Sequence, residues 1–295
     1  MRIGVAVPQQ EIASDAQALG GFVEGAEALG YAHVLVFDHV VGADRTTRPA
    51  WEGPYDLSDP FHEPLVLLSW IAARTTRIGL ATGVLILPQR QTVLVAKQAA
   101  ELDRLSGGRL RLGVGVGWNR VEYEALGYAF RSRGARMEEQ MDLLRRLWTE
   151  AQVTFEGRWD RIHAAGLNPG PVQRPIPIWM GGSAPAVIGR AVRLADGWMP
   201  MLRPDESGIG VIAEARAMTD RREQGREPLG LEGRMTLRAI PRDRWGAELD
   251  GWSRLQATHV TVNTSGLGLR DVDEHLDLLQ RLRVEFGRRV PWDVP

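Results

Sequence analysis

Leu102-Asp103-Arg104-Leu105-Ser106-Gly107-Gly108-Arg109-Leu110-Arg111-Leu112-Gly113-Val114-Gly115 is the stretch on which the architecture turns. It closes an amphipathic pattern over residues 93–105, breaks at Ser-Gly-Gly, and resumes as a mostly apolar run of strand length. Glycine just past the last periodic residue adopts the left-handed conformation that ends a helix, so Ser106, Gly107 and Gly108 read as a cap and turn. Helix, glycine turn, buried strand is the repeating step of a parallel sheet, because parallel neighbours must be joined by a crossover.

The same step recurs from end to end. Apolar runs at residues 3–7, 34–37, 78–82, 110–115, 177–181, 197–199, 236–240 and 260–263 are the strand candidates. Most are continuous rather than alternating, as strands covered on both faces require. Amphipathic stretches at 16–29, 63–74, 93–105, 135–150, 186–194 and 271–285 lie between them. Strands and helices in this alternation predict an α/β fold, a (β/α)8 TIM barrel occupying residues 1–295 as a single domain. A doubly wound sheet is the competing arrangement, and it uses fewer strands. Two connections exceed ordinary length, residues 38–62 after strand two and 153–176 before strand five. Both are rich in Pro, Gly, Trp and Arg, and neither has a helical pattern. Long loops at the C-terminal ends of barrel strands are where substrate sites are built.

Composition narrows the chemistry. The 295 residues are 44% hydrophobic and 25% charged, ordinary for a chain with a large core. A net charge of -1 supplies no general attraction to nucleic acid or an anionic membrane, so neither is expected as a partner. The absence of cysteine excludes disulfides, thiolate metal sites and cysteine nucleophiles. The apolar run at residues 3–7 is too short for a signal peptide or span, and a cytoplasmic protein is expected. Lys97 is the only lysine, an arginine bias of the kind GC-rich coding produces, and it reads as mid-helix rather than as a Schiff-base residue. The histidines show no metal-binding spacing, and no G-x-S-x-G elbow is present.

Candidate site residues cluster where strands end. Asp38 and His39 fall at the end of strand two, where a histidine can exchange a proton during a redox reaction and Asp38 can orient it; a helix cap with an incidental histidine is the plainer reading. Gly113, Gly115 and Gly117 run along strand four into Trp118. With no helix following at once they are not a dinucleotide fingerprint, and glycines within a strand admit close approach of another body, such as a flat ring at the barrel mouth; tight packing inside the barrel is the plainer reading. Met180-Gly181-Gly182-Ser183-Ala184-Pro185 is a strand ending in two glycines and a serine before a helix-starting proline. Amides at such a helix start seat an anion, and Ser183 adds a hydroxyl; an ordinary capped turn is the alternative. Thr82-Gly83-Val84 ends strand three, followed by Leu85-Ile86-Leu87-Pro88, apolar enough to imply a cover. Trp51, Trp118 and Trp198 stand where a pocket wall is expected.

Taken in order, residues 96–118, 171–183 (Pro171 through Ser183) and Ala195-Asp196-Gly197-Trp198 resemble the luciferase-like monooxygenase superfamily, in its branch using the deazaflavin coenzyme F420. The resemblance implies a TIM barrel with the cofactor ring in its mouth, near Asp38, Thr82, Gly83, Val84, Gly115 and Gly117, and its phosphate on Gly181, Gly182 and Ser183. It also implies a non-proline cis peptide at Gly83–Val84. Asp38 and His39 match the family's acidic residue–histidine pair. Sugar-phosphate dehydrogenases of the group place a glutamate directly after the strand-four glycines, where this chain has Trp118. That departure points to an apolar or aromatic small-molecule substrate held by Trp51, Trp118 and Trp198. The implied activity is hydride transfer between F420 and such a substrate. An FMN-dependent monooxygenase using oxygen is the alternative, and a non-catalytic cofactor-binding barrel a second. Family members commonly dimerise, so the resemblance implies a homodimer.

Overall fold

A computed structural model describes residues 1–12, 15–219 and 227–293. In chain order the strands are β1 Arg2–Ala6, β2 His33–Val36, β3 Gly79–Thr82, β4 Leu85–Ile86, β5 Leu110–Gly115, β6 Val153–Glu156, β7 Arg161–Ala165, β8 Ile178–Gly181, β9 Gly197–Met199, β10 Gly230–Thr236 and β11 His259–Asn263. The helices are α1 Gln9–Ile12, α2 Ala16–Ala28, α3 Pro64–Arg74, α4 Thr92–Leu105, α5 Arg120–Ala125, α6 Arg133–Thr149, α7 Pro185–Leu194, α8 Glu206–Thr219, α9 Trp245–Arg254 and α10 Val272–Gly287. Strands β1, β2, β3, β5, β8, β9, β10 and β11 pair in parallel in that order, and β11 closes on β1 with Ile3 opposite Val260 and Val5 opposite Val262. The (β/α)8 barrel is therefore the fold. Its helices pack an apolar shell around the strands, α10 against α2 and α4 against both α3 and α6. Among the described residues no helix is long and apolar enough to cross a membrane.

Three local expectations are corrected. The seventh barrel strand is β10, not residues 236–240, of which 237–239 form a 3-10 turn. Glu232 and Arg234 face the barrel interior from β10, and their charge disguised a strand that the search for apolar runs could not register. The apolar stretch after Val84 is β4, paired to β5 through Leu85–Val114 and Ile86–Gly115. The long segment 153–176, read as irregular, begins with an antiparallel hairpin of β6 and β7.

The opening stretch also explains how the barrel is stapled. Gly107 and Gly108 have φ of +72° and +85°, the left-handed turn that only glycine adopts freely. Just beyond, Arg109 donates to the carbonyls of Ser106, Ile78, Ala72 and Thr75 and to the Thr75 hydroxyl, at 2.8–3.0 Å. Asp103, buried in α4, accepts from the amides of Val172 and Gln173 and from Gln173 Nε2, fixing the end of the long segment beside β5.

The barrel floor is polar. Glu232 accepts from Arg111 Nη1 at 2.5 Å, meets His33 Nε2 at 3.1 Å, and takes a short hydrogen bond from the Thr261 hydroxyl. Gly4 has no side chain because a Cβ there would lie 2.4 Å from the His33 ring. Burial acts to raise the Glu232 carboxyl, but Arg111 and His33 overcome it and hold the group well below the usual carboxylate range. Burial and then Arg111 lower both His33 and His259, the latter to about 2. An unfolded chain binds protons at histidine from about pH 6.5 downward, while the folded barrel does not. Stability is therefore expected to fall as pH drops below about 6.5, His259 contributing up to about 1.4 kcal/mol per pH unit. The Glu232 carboxylate adds to the loss below its unfolded-state value. Urea unfolding at pH 7.5 and 5.5 checks this: H259N is expected to show a shallower slope than the wild type, and an unchanged slope would refute the assignment.

Candidate active site

The C-terminal ends of the barrel strands open into one cavity of ≈ 530 Å³, within the size range of small-molecule sites. Phe37, Tyr55, Val84, Trp118, Met199 and Arg234 give its character, an apolar wall with one deep cation.

His39 lines this cavity at the end of β2. Its Nδ1 lies 3.2 Å from Glu122 Oε1, and the Val40 amide donates to the same oxygen at 2.9 Å. A carboxylate only accepts, so the Glu122 contact places the proton of a neutral ring on Nδ1 and leaves the Nε2 lone pair free. Among the described residues none bonds to Nε2. The ring is wedged between Tyr55 and Phe61, with centroids 4.8 and 4.7 Å away, and touches Trp118 at 5.9 Å. Glu122 is 1% exposed and sits on α5, whose N-terminus is capped by Asn119 accepting from Val121 N. The carboxylate that position 118 lacks thus arrives one helical turn later, aimed at the histidine.

Asp38 does not orient His39, the role its place beside the histidine had suggested. Its Oδ2 accepts from the Ile86 amide and its Oδ1 from Arg90 Nη2, both at 2.8 Å, which ties β2 to β4. Burial pushes its carboxyl up, against the pull of Arg90, and Arg90 is held in place by Glu63 at 2.6 Å.

The strand glycines make room for the protein itself. A Cβ on Gly115 would lie 2.4 Å from Val84 Cγ2, one on Gly181 2.6 Å from Val84 Cγ1, and one on Gly117 2.7 Å from Ile86. Gly113 faces the Thr82 carbonyl in the same way, at 2.0 Å. The body that approaches so closely is the 82–86 segment, which includes the cis Gly83–Val84 bond. Val84, Gly115, Gly117 and Gly181 all remain on the cavity wall.

At the far end of the cavity Gly182, with φ +119°, turns β8 into α7. Trp198 Nε1 donates to the Gly182 carbonyl at 2.7 Å, and the Ser183 hydroxyl oxygen accepts from Met201 N at 2.8 Å. The residue at the N-cap is Ala184, which offers no side-chain acceptor, and Pro185 is the first helical residue. Gly182 N donates to the Met199 carbonyl, Val187 N to the Ala184 carbonyl, and Pro185 has no N–H, so the Ser183, Ala184 and Ala186 amides and the Ser183 hydroxyl proton are the donors left for an anion, and they fit a phosphate.

Three expected wall residues stand behind the wall. Thr82 is fully buried and donates to the Gly113 carbonyl at 2.6 Å. Trp198 is 2% exposed and only braces Gly182. Trp51 packs against Trp118 with the rings tilted by 48° and centroids 5.6 Å apart, and Trp118 stands between it and the cavity wall. Glu122, Tyr55, Phe61 and Arg234 were not foreseen. A carboxylate on the turn after Trp118 was the available hint for the first. Arg234 sits on a strand that was misplaced in the sequence reading; its guanidinium donates to the Gly83 carbonyl at 3.1 Å and covers the Phe37 ring at 5.0 Å.

Comparison with known proteins places the chain in a family. The luciferase-like monooxygenase family model matches residues 1–243, and the chain belongs to that family. The uncharacterized protein Rv0940c of Mycobacterium tuberculosis is 35% identical over 243 residues, 81% of each chain. An F420-dependent glucose-6-phosphate dehydrogenase of Kineococcus radiotolerans is 40% identical over 144 residues, 47% of this chain and 42% of that one. Among solved structures, the monooxygenase RslO1 from Streptomyces bottropensis shares the fold with a TM-score of 0.76 at 21% identity, over 98% of this chain and 99% of that one.

Proposed function

We propose that the protein is an F420-dependent oxidoreductase that moves a hydride between the deazaflavin and a small organic substrate with an apolar or aromatic body. The observation that carries this reading is the His39–Glu122 pair beside a cavity that ends in an amide-rich helix start. The F420-dependent relative supports the choice of deazaflavin over FMN.

Gly181, Gly182, Ser183 and the first turn of α7 would hold the cofactor phosphate, and Val84 would back its ring. Bound there, the deazaflavin supplies a carbon centre that gives or takes a hydride, the chemistry the protein itself lacks. His39 would hold or accept a proton at Nε2, and Glu122 would keep the proton on Nδ1 so that Nε2 faces the substrate. Phe37, Tyr55 and Trp118 would exclude water and orient the substrate body.

Titration of the purified protein with oxidised F420 and, separately, FMN, read by fluorescence, tests the assignment. Micromolar binding of F420 with weaker binding of FMN is expected, and G182V is expected to weaken it about tenfold or more by blocking the phosphate seat. Preference for FMN would replace this reading with the oxygen-using one, and binding of neither would overturn the cofactor assignment.

A further inference from the structure

Two guanidinium groups in the barrel mouth have only distant acidic neighbours, Glu232 for Arg234 and Glu11 for Arg238. Arg234 projects inward from β10, its charged form disfavoured by burial. Arg238, four residues on, lines the same cavity and also an adjoining chamber of ≈ 170 Å³. Neither has a carboxylate oxygen within 4.0 Å among the described residues, although the other deep arginine of the interior, Arg111, is paired with Glu232. Arg238 is exposed, but Arg234 is a cation without a direct counter-ion in a partly dehydrated cavity, and a ligand anion relieves its desolvation cost.

The neighbouring groups point the same way. Asn263 Oδ1 accepts from Ser265 N, which leaves its Nδ2 as a donor. Gln9 Oε1 accepts from Phe37 N, and its Nε2 is without a partner on a side chain 1% exposed. The acidic group of the chamber, Glu11, is already engaged by the Gly266 amide and lies 3.1 Å from His275 Nε2. Donors therefore outnumber free acceptors around this end of the cavity, opposite in character to the apolar wall of Phe37, Tyr55 and Trp118.

We infer that the Arg234–Arg238 end is a seat for a carboxylate carried by the substrate, which is a small aryl or alkyl carboxylic acid whose apolar body lies against Tyr55 and Trp118. A carboxylate matches the planar guanidinium fork, and the phosphate-type seat of this protein lies elsewhere, at the start of α7. The inference deepens the substrate side of the proposed function and rests on that reading of the cavity.

The probe pair is 4-phenylbutyrate and its uncharged amide, titrated by tryptophan fluorescence and calorimetry into wild type, R234M, R238M and R234K, with and without F420. Wild type is expected to bind the acid about tenfold or more tightly than the amide. R234M and R238M are expected to lose that preference, and R234K to keep part of it. Equal binding of acid and amide by wild type would overturn the inference, a result that does not depend on how any variant folds. Weakened F420 binding in R234M with acid binding unchanged would overturn it too, by assigning the guanidinium to the cofactor. If wild type fails to bind F420, the cofactor reading falls by itself, since the preference for the acid is read equally well without cofactor.

Discussion

Replacement of Arg109 by alanine is expected to destabilise the protein by about 3–4 kcal/mol, the largest loss from a single change outside the cavity. One charged side chain there satisfies four carbonyls and a hydroxyl drawn from three places in the chain. Ala72 and Thr75 end α3, Ile78 precedes β3, and Ser106 caps α4. Truncation leaves these acceptors without a donor in a partly buried seam, and removes a cation from the C-terminus of α3, where the helix dipole favours one. Lysine cannot span the seam, because its single ammonium lacks the planar fork, so R109K is expected to recover less than half of the loss. Urea unfolding of the three proteins measures this; a loss below about 1 kcal/mol for R109A would show that water replaces the guanidinium.

What the sequence could and could not disclose follows from the range over which each contact acts. The Ser106–Gly107–Gly108 turn and the Gly181–Gly182–Ser183 turn are local, and residue type alone announces them: positive φ calls for glycine, and Pro185 marks the first helical residue. Parallel strands shielded on both faces are equally legible as apolar runs. β10 escaped because an inward face of Glu232 and Arg234 serves the barrel floor and the cavity, so function overrode the pattern that reveals strands. The close approach promised by the strand glycines was legible, though not which residue makes it; of its two readings, the packing of the barrel on itself is the one the structure shows. Val84 fills the gap between Gly115 and Gly181, a contact visible only when three strands are brought together. His39 was found by position, at a strand end. Its partner was not, since Glu122 lies 83 residues away and adjacent Asp38 was the nearer choice by sequence.

That misassignment carries the second large expectation. If the Glu122 carboxylate stabilises the protonated form of His39 during turnover, then E122Q is expected to reduce turnover about a hundredfold while changing cofactor affinity little. Because Glu122 Oε1 takes both the Nδ1–H and the Val40 N–H, a glutamine oxygen in its place keeps the proton on Nδ1 but removes the negative charge beside the ring. Without that charge the imidazolium formed when Nε2 takes a proton is less stabilised, so proton transfer through His39 is slower. The Val40 amide still finds an oxygen acceptor in E122Q, so the loop is held and the fold is expected to keep its melting temperature within a few degrees. H39A should lose at least as much turnover, and the double variant H39A/E122Q little more than H39A, because the glutamate acts through the histidine. The distinguishing readout is the pH profile of turnover. Positioning by Glu122 predicts that the His39 limb of the profile moves in E122Q, whereas a merely structural role predicts an unmoved limb and a lower plateau. An additive loss in the double variant would detach Glu122 from His39 and return the question to Asp38, whose carboxylate is already committed to Ile86 and Arg90.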